Sequence, residues 1–104
     1  MKNEEEITKL IILLGMQLKP MNKKELIDAI ASGSKLTKAD AGRMVQKMTE
    51  DELMKYVFGM KKADLIDAIA ASAKLTKADA GRALDAAIEA IHRKLKTVFG
   101  GKGQ

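Results

Sequence analysis

MNKKELIDAIASGSKLTKADAGR, residues 21–43, returns as MKKADLIDAIAASAKLTKADAGR at residues 60–82, with 17 of 23 positions identical at an offset of 39. A repeat of this length marks a supersecondary unit, and the fold is then set by how the copies pack. The copies divide the chain into a leader (1–20), a first unit (21–59) and a second unit (60–104). Each copy reads as a helical hairpin. In the second, Leu65, Ile66, Ile69 and Ala70 keep helix-face spacing after Lys61, and this helix is expected to end near Ser72. Thr76 is a good N-cap, with Asp79 three residues on, near the positive end of the helix dipole. Leu84, Ile88, Ile91, Leu95 and Val98 then run at spacings of four, three, four and three, a long amphipathic helix closed by Gly100-Gly101.

In the first unit, Asn22 and Glu25 suit a capping box before Leu26, Ile27 and Ile30, and Pro20 separates that helix from the leader. The second helix departs from its copy. Thr49 and Glu52 stand where the second unit has Ile88 and Ile91, so the apolar stripe breaks, and a threonine with a glutamate three residues later is itself a start signal. The expected course is a short helix from Lys38 to Met48 and a separate one from Glu50 to Phe58, stopped by Gly59. One continuous helix with a polar patch is the competing reading.

The leader, with Glu4–Glu6 at its start and Ile7, Leu10, Ile11, Leu14 and Leu18 on one stripe, is another amphipathic helix. Ile11–Leu14 are consecutively apolar, so it should be buried against the repeats or a second chain. No segment alternates with period two for long. The expected fold is all-α, a bundle of five or six helices. Gly42 and Gly81, inside helices at equivalent places, point to close helix–helix approach. Met44, Met48, Met54 and Met60 read as core filling, with an adaptable interface as the alternative.

Among 104 residues there are one proline, one histidine and no cysteine, which excludes a disulfide framework, a cysteine-based zinc site and a thiol nucleophile. His92 has no second histidine or cysteine near it, and the carboxylates form no acid–base constellation. The Gly100–Gly103 stretch lacks the Ser or Thr of a phosphate loop and is a tail. No enzyme activity, cofactor, metal or small-molecule substrate is expected. The run Ile11–Leu14 is too short to span a bilayer, the leader is too poor in lysine for a membrane-surface helix, and MKNEEEITKL is no secretory signal. A cytoplasmic protein with no membrane partner is expected.

The strings MNKKELIDAIA and LTKADAGRALDAAIEAI resemble the N-terminal helical half of bacterial HU, the histone-like DNA-binding protein, whose family includes integration host factor. The resemblance covers residues 21–43 and 60–91. Met21 and Met60 each stand where the family's chain begins, as in fused or duplicated copies or an engineered chimera. It implies two hairpins interlocked as a dimer body, which in the family carries a β-saddle and two arms that grip the DNA minor groove, with a proline wedge at each tip. After Leu95 this chain reads KTVFGGKGQ, and its one proline, Pro20, precedes a helix. The reading is therefore the body without the arms, and wrapping or kinking of DNA is not expected of it.

The net charge of +5 sits almost wholly in the second unit, which has 9 basic and 5 acidic residues. Candidate phosphate-binding residues are Lys23, Lys24, Lys38, Arg43, Lys61, Lys62, Lys77, Arg82, Arg93, Lys94 and Lys96, with Lys35, Lys74 and Lys102 beside them. The bland reading is solvated helix faces diluted by Asp28, Asp40, Asp67 and Asp79. Tyr56, Phe58 and Phe99 fall on or beside apolar stripes and leave no stacking platform for single strands. Leu10, Leu14, Leu84, Ile88, Ile91 and Leu95 are the expected core or oligomer interface. The units could pair within one chain or swap between two, and a homodimer or higher oligomer is favoured. Two functions follow. A nucleoid-type binder of double-stranded DNA needs a contiguous basic face, whereas a structural or oligomerisation module that has lost DNA binding shows intermixed charge and an interface that takes the leader.

Overall fold

The computed structural model describes residues 4–19, 21–48, 50–59 and 61–100, and the roles read for Pro20, Thr49, Met60, the Phe99 side chain, Lys102 and the glycine tail lie outside what it describes. Six helices follow one another: α1 Glu4–Leu18, α2 Lys23–Ser34, α3 Lys38–Lys47, α4 Glu50–Phe58, α5 Lys62–Ala73 and α6 Lys77–Gly100. No strand occurs among the described residues. The fold is all-α.

Caps set these boundaries. The Asn22 side chain accepts from the Glu25 backbone N–H at 2.8 Å, and the Glu25 carboxylate accepts from the Asn22 N–H at 3.0 Å. Thr37 and Thr76 cap α3 and α6 alike, each hydroxyl accepting from the N–H three residues on, of Asp40 and Asp79, at 3.0 Å. Helices α2 and α5 end on Lys35 (φ 62°) and Lys74 (φ 59°), both in the left-handed region. Glycine would adopt that conformation at less cost, but lysine places its charge at the negative end of the helix dipole.

The two hairpins, α2–α3 and α5–α6, pack on each other within the chain. Helix α2 runs along α6, and α5 packs against both α6 and α3. Two arginines staple the pairing reciprocally: Arg43 Nε donates to the Ala73 carbonyl at 3.1 Å, and Arg82 Nε donates to the Ser34 carbonyl at 3.4 Å. Each thus satisfies a C-terminal carbonyl of the other hairpin's first helix that the helix itself leaves open. Ile30, Met44, Leu65, Ile69 and Leu84 are fully buried between them, each such side chain contributing about 1.5–3 kcal/mol. Ala80, Ala83, Ala87 and Ala90 form a buried small-residue seam along α6 that lets its neighbours come close.

Close approach does not occur at the glycines where it was expected. A Cβ on Gly42 would lie 3.9 Å from Ile27 Cδ1, and one on Gly81 3.6 Å from Ile66 Cδ1, ordinary contacts with the mobile tip of an isoleucine. The tight places are Gly33, where a Cβ would stand 3.0 Å from Ala86 Cβ, and Gly15, where it would stand 2.8 Å from Ile91 Cγ2. There α2 and α1 lie against α6.

After α3 the chain turns at Met48 and starts α4, so two helices replace the continuous one that was the alternative. Helix α4 turns Leu53, Tyr56 and Val57 toward the core, but Phe58 is 77% exposed and does not join an apolar stripe. The leader helix packs on α6 and α4. Its buried face differs from the expected stripe: Ile11 and Ile12 are buried and Leu14 is half-buried, while Ile7, Leu10 and Leu18 are exposed. The reason is Gly15, which draws the Ile12–Gly15–Met16 side of α1 onto Ile91 and turns Leu10 to solvent. Leu84 and Leu95 are buried, and Ile88 and Ile91 are half-buried.

Candidate nucleic-acid interface

Helix α2 runs antiparallel to α6: Gly33 faces Ala86, and at the other end Lys94 Nζ lies 3.6 Å from the Glu25 carboxylate. This packing brings the start of α2, with Lys23 and Lys24, to the last turns of α6, with Arg93, Lys94 and Lys96. Lys96 stands one turn beyond Arg93 on the same exposed side. The chain leaves α1 through Lys19, in the left-handed region (φ 48°), and Lys19 and Lys23 line one open groove with Gln46. Six cations lie toward this end, of which Lys94 faces Glu25 and Arg93 lies 3.3 Å from Glu89. Lys19, Lys23, Lys24 and Lys96 form no ion pair among the described residues.

The other candidates are distributed differently. Lys38 pairs with Asp28 and Lys77 with Asp67, both at 3.4 Å. Arg43 pairs with Asp40 at 2.7 Å and Arg82 with Asp79, which together with their carbonyl bonds occupies both guanidinium groups in holding the hairpins together. Lys62 pairs with Asp85 at 2.6 Å, and its backbone N–H donates to Glu5 at 2.9 Å. Lys61 is exposed at the start of α5 and unpaired among the described residues. Exposed pairs like these contribute little stability, roughly 0–1 kcal/mol, yet each cancels a charge that a phosphate would otherwise meet.

For Lys23 the contrast has a single-residue origin. Lys23 and Lys62 are equivalent positions of the repeat, and so are Gln46 and Asp85. In one hairpin lysine meets a carboxylate, in the other a neutral amide. Sequence reading did not single out Lys19 or Gln46 for this role, although the Gln46/Asp85 mismatch was visible in the aligned repeats.

Tyr56, its ring beneath Lys9 Nζ at 5.3 Å, is pushed up to about 12 by burial and then by the negative charge of Glu5. It therefore stays neutral across the physiological range. Among the described residues no group of three or more His, Cys, Asp or Glu could hold a metal ion. No helix of the described chain is long and apolar enough to cross a membrane.

Residues 60–98, which comprise α5 and nearly all of α6, match the family described as bacterial DNA-binding protein. This second hairpin is thus similar to that family. Among curated proteins and among solved structures nothing matches the chain. The HU match falls on a hairpin whose cations are mostly paired near its start and accumulate toward the end of α6.

Proposed function

We propose that the protein binds double-stranded DNA without catalysis and with little sequence preference, as a nucleoid-type component of the cytoplasm, through the cationic end formed by Lys19, Lys23, Lys24, Arg93, Lys94 and Lys96. The supporting observation is the surplus of cations there, four of them unpaired, beside an HU-family hairpin. Phosphates contacted by these side chains release counterions, so log affinity should fall with log salt at a slope of about −0.9 per phosphate neutralised. With roughly four contacts the slope would be about −3 to −4. The two hairpins act in this reading as a single-chain counterpart of the family's two-chain body, and phosphate contacts from this helical face insert no wedge between base steps, so the face itself leaves the duplex nearly straight.

The test is fluorescence anisotropy of a labelled duplex across a salt series, with end-to-end energy transfer to read bending. Replacing Lys23, Lys24 and Lys96 by glutamine should flatten the salt slope by about 2–3 and weaken binding at low salt. The control, Lys38→Gln with Lys77→Gln, should change little because those lysines already face Asp28 and Asp67. Equal losses in the two variants, or no binding of the unaltered protein at low salt, would sink the proposal.

The exposed stripe Ile7, Leu10 and Leu18 on α1 favours a second property, self-association as an oligomerisation module. Helix α1 opens with Glu4–Glu6 and is followed by Lys19, so an antiparallel pairing of two copies sets each acidic end beside a basic one. Leu10→Glu should shift a dimer to monomer in sedimentation or light scattering. A monomer before the substitution would remove this reading.

A further inference from the structure

Beside the cationic end lies a feature that DNA binding leaves unused. Ile12, Met16, Val45, Met48, Ala87 and Ile88 are among the walls of an apolar cavity of about 140 Å³. That is close to the size at which an engineered apolar cavity, about 150 Å³, stays dry and takes up benzene. It sits where α3 stops and α4 begins, with α6 behind it and α1 above. Met16, Leu26, Val45 and Met48 also wall the open groove that carries Lys19, Asn22, Lys23 and Gln46. These four side chains are common to the apolar space and the groove, and the two methionines among them are unbranched and readily re-pack.

We infer that cavity and groove form one binding site for a small amphipathic anion, its apolar body in the cavity and its carboxylate or phosphate head between Lys19 and Lys23. A purely apolar molecule would leave the lysines unused, and a bare anion would leave the cavity empty. A body of roughly six to eight carbons fits a space of this size. The head accepts hydrogen bonds from the two ammonium groups, charge-assisted and stronger than neutral ones. The Gln46 amide supplies a donor where the other hairpin's Asp85 would repel an anion.

The probe is octanoate, with octanol and acetate as comparators, added to the full chain labelled at the methionine methyl groups for NMR. Octanoate should shift the Met16 and Met48 methyls saturably and leave that of Met54, which does not line the site, in place. Lys19→Gln with Lys23→Gln should weaken octanoate by about a hundredfold and leave octanol unchanged, about tenfold for each of the two charged hydrogen bonds lost. Ala87→Val and, independently, Val45→Ile should fill the cavity and abolish binding of octanoate and octanol, with a thermal melt showing that each variant folds. Ala87→Val lies away from the cationic surface and should keep its duplex affinity, so this site and the DNA reading fail separately. The inference is overturned if octanoate gives no saturable shift, if acetate binds as well as octanoate, or if both cavity-filling variants still bind it.

Discussion

Helix α3 stops after 10 residues, whereas α6, which opens with the same LTKADAGR, runs for 24. The shared stretch sets the cap, the entry angle and the arginine staple in both hairpins, and the residues beyond it decide how far the helix continues. In α6 the next turns bring Ala87, Ile88, Ala90 and Ile91 onto α2 and α1; in the first hairpin the same positions bring Met48, Thr49, Asp51 and Glu52, and the chain turns away. The equivalent lysines differ in the same manner. Lys62 pairs with Asp85, while Lys23 shares a groove with Gln46 and forms no ion pair among the described residues. Two hairpins that begin alike thus divide the work, one building the long spine and the other leaving the cations at its start unpaired.

The comparison breaks most severely if the spine is given the other hairpin's residues. Ile88→Thr with Ile91→Glu should cost about 3–5 kcal/mol, from lost apolar burial and a carboxylate set against α1. Circular dichroism should show lost helix and urea unfolding an earlier midpoint. A milder cut compares equivalent core positions. Leu84, buried between the hairpins, should cost about 2–5 kcal/mol when replaced by alanine, and its counterpart Val45, half-buried at the cavity wall, only about 1–2 kcal/mol. Equal costs would mean that the hairpins pack alike.

Glycine substitutions sharpen the contrast further. Gly42→Ala and Gly81→Ala should each stabilise by about 0.5–1 kcal/mol, because the helix gains and the new methyl meets only an isoleucine tip. Gly15→Ala should instead destabilise by roughly 1–2 kcal/mol as Ile91 and α1 move apart. The smallest effect concerns charge. Gln46→Asp gives Lys23 the partner that Lys62 already has, and should reduce the duplex salt slope by about 1 without changing the melting midpoint appreciably.

Much of this architecture was legible because the signals are local. Asn22 with Glu25, Thr37, Thr76 and the break at Thr49–Glu52 each act within one turn of chain, so the boundaries of α2, α3, α4 and α6 could be read directly. The docking face of α1 could not. Ile11–Leu14 make that helix apolar on several sides, and the choice fell to Gly15, whose missing Cβ matters only once Ile91 is opposite it. The roles of Gly42 and Gly81 were misread for the same reason, since room for a methyl depends on a neighbour in another helix. The cationic candidates were visible as residues, but which of them stay unpaired depends on the register of α2 against α6 and on Gln46.

The cation over the Tyr56 ring has a practical corollary. The chain contains one tyrosine and no tryptophan, so its near-ultraviolet absorbance and emission report chiefly on this ring. Folded, the phenol ionises near 12; unfolded, at about 10. Stability is therefore whole below pH about 10 and declines as pH rises toward about 12, where only the unfolded chain readily gives up the proton. Lys9 and Glu5 come from α1 and Tyr56 from α4, so a spectrophotometric alkaline titration reads whether the leader is docked. Any variant or ligand that lifts α1 should bring the phenolate spectrum in early, at a pH that needs no added dye to see.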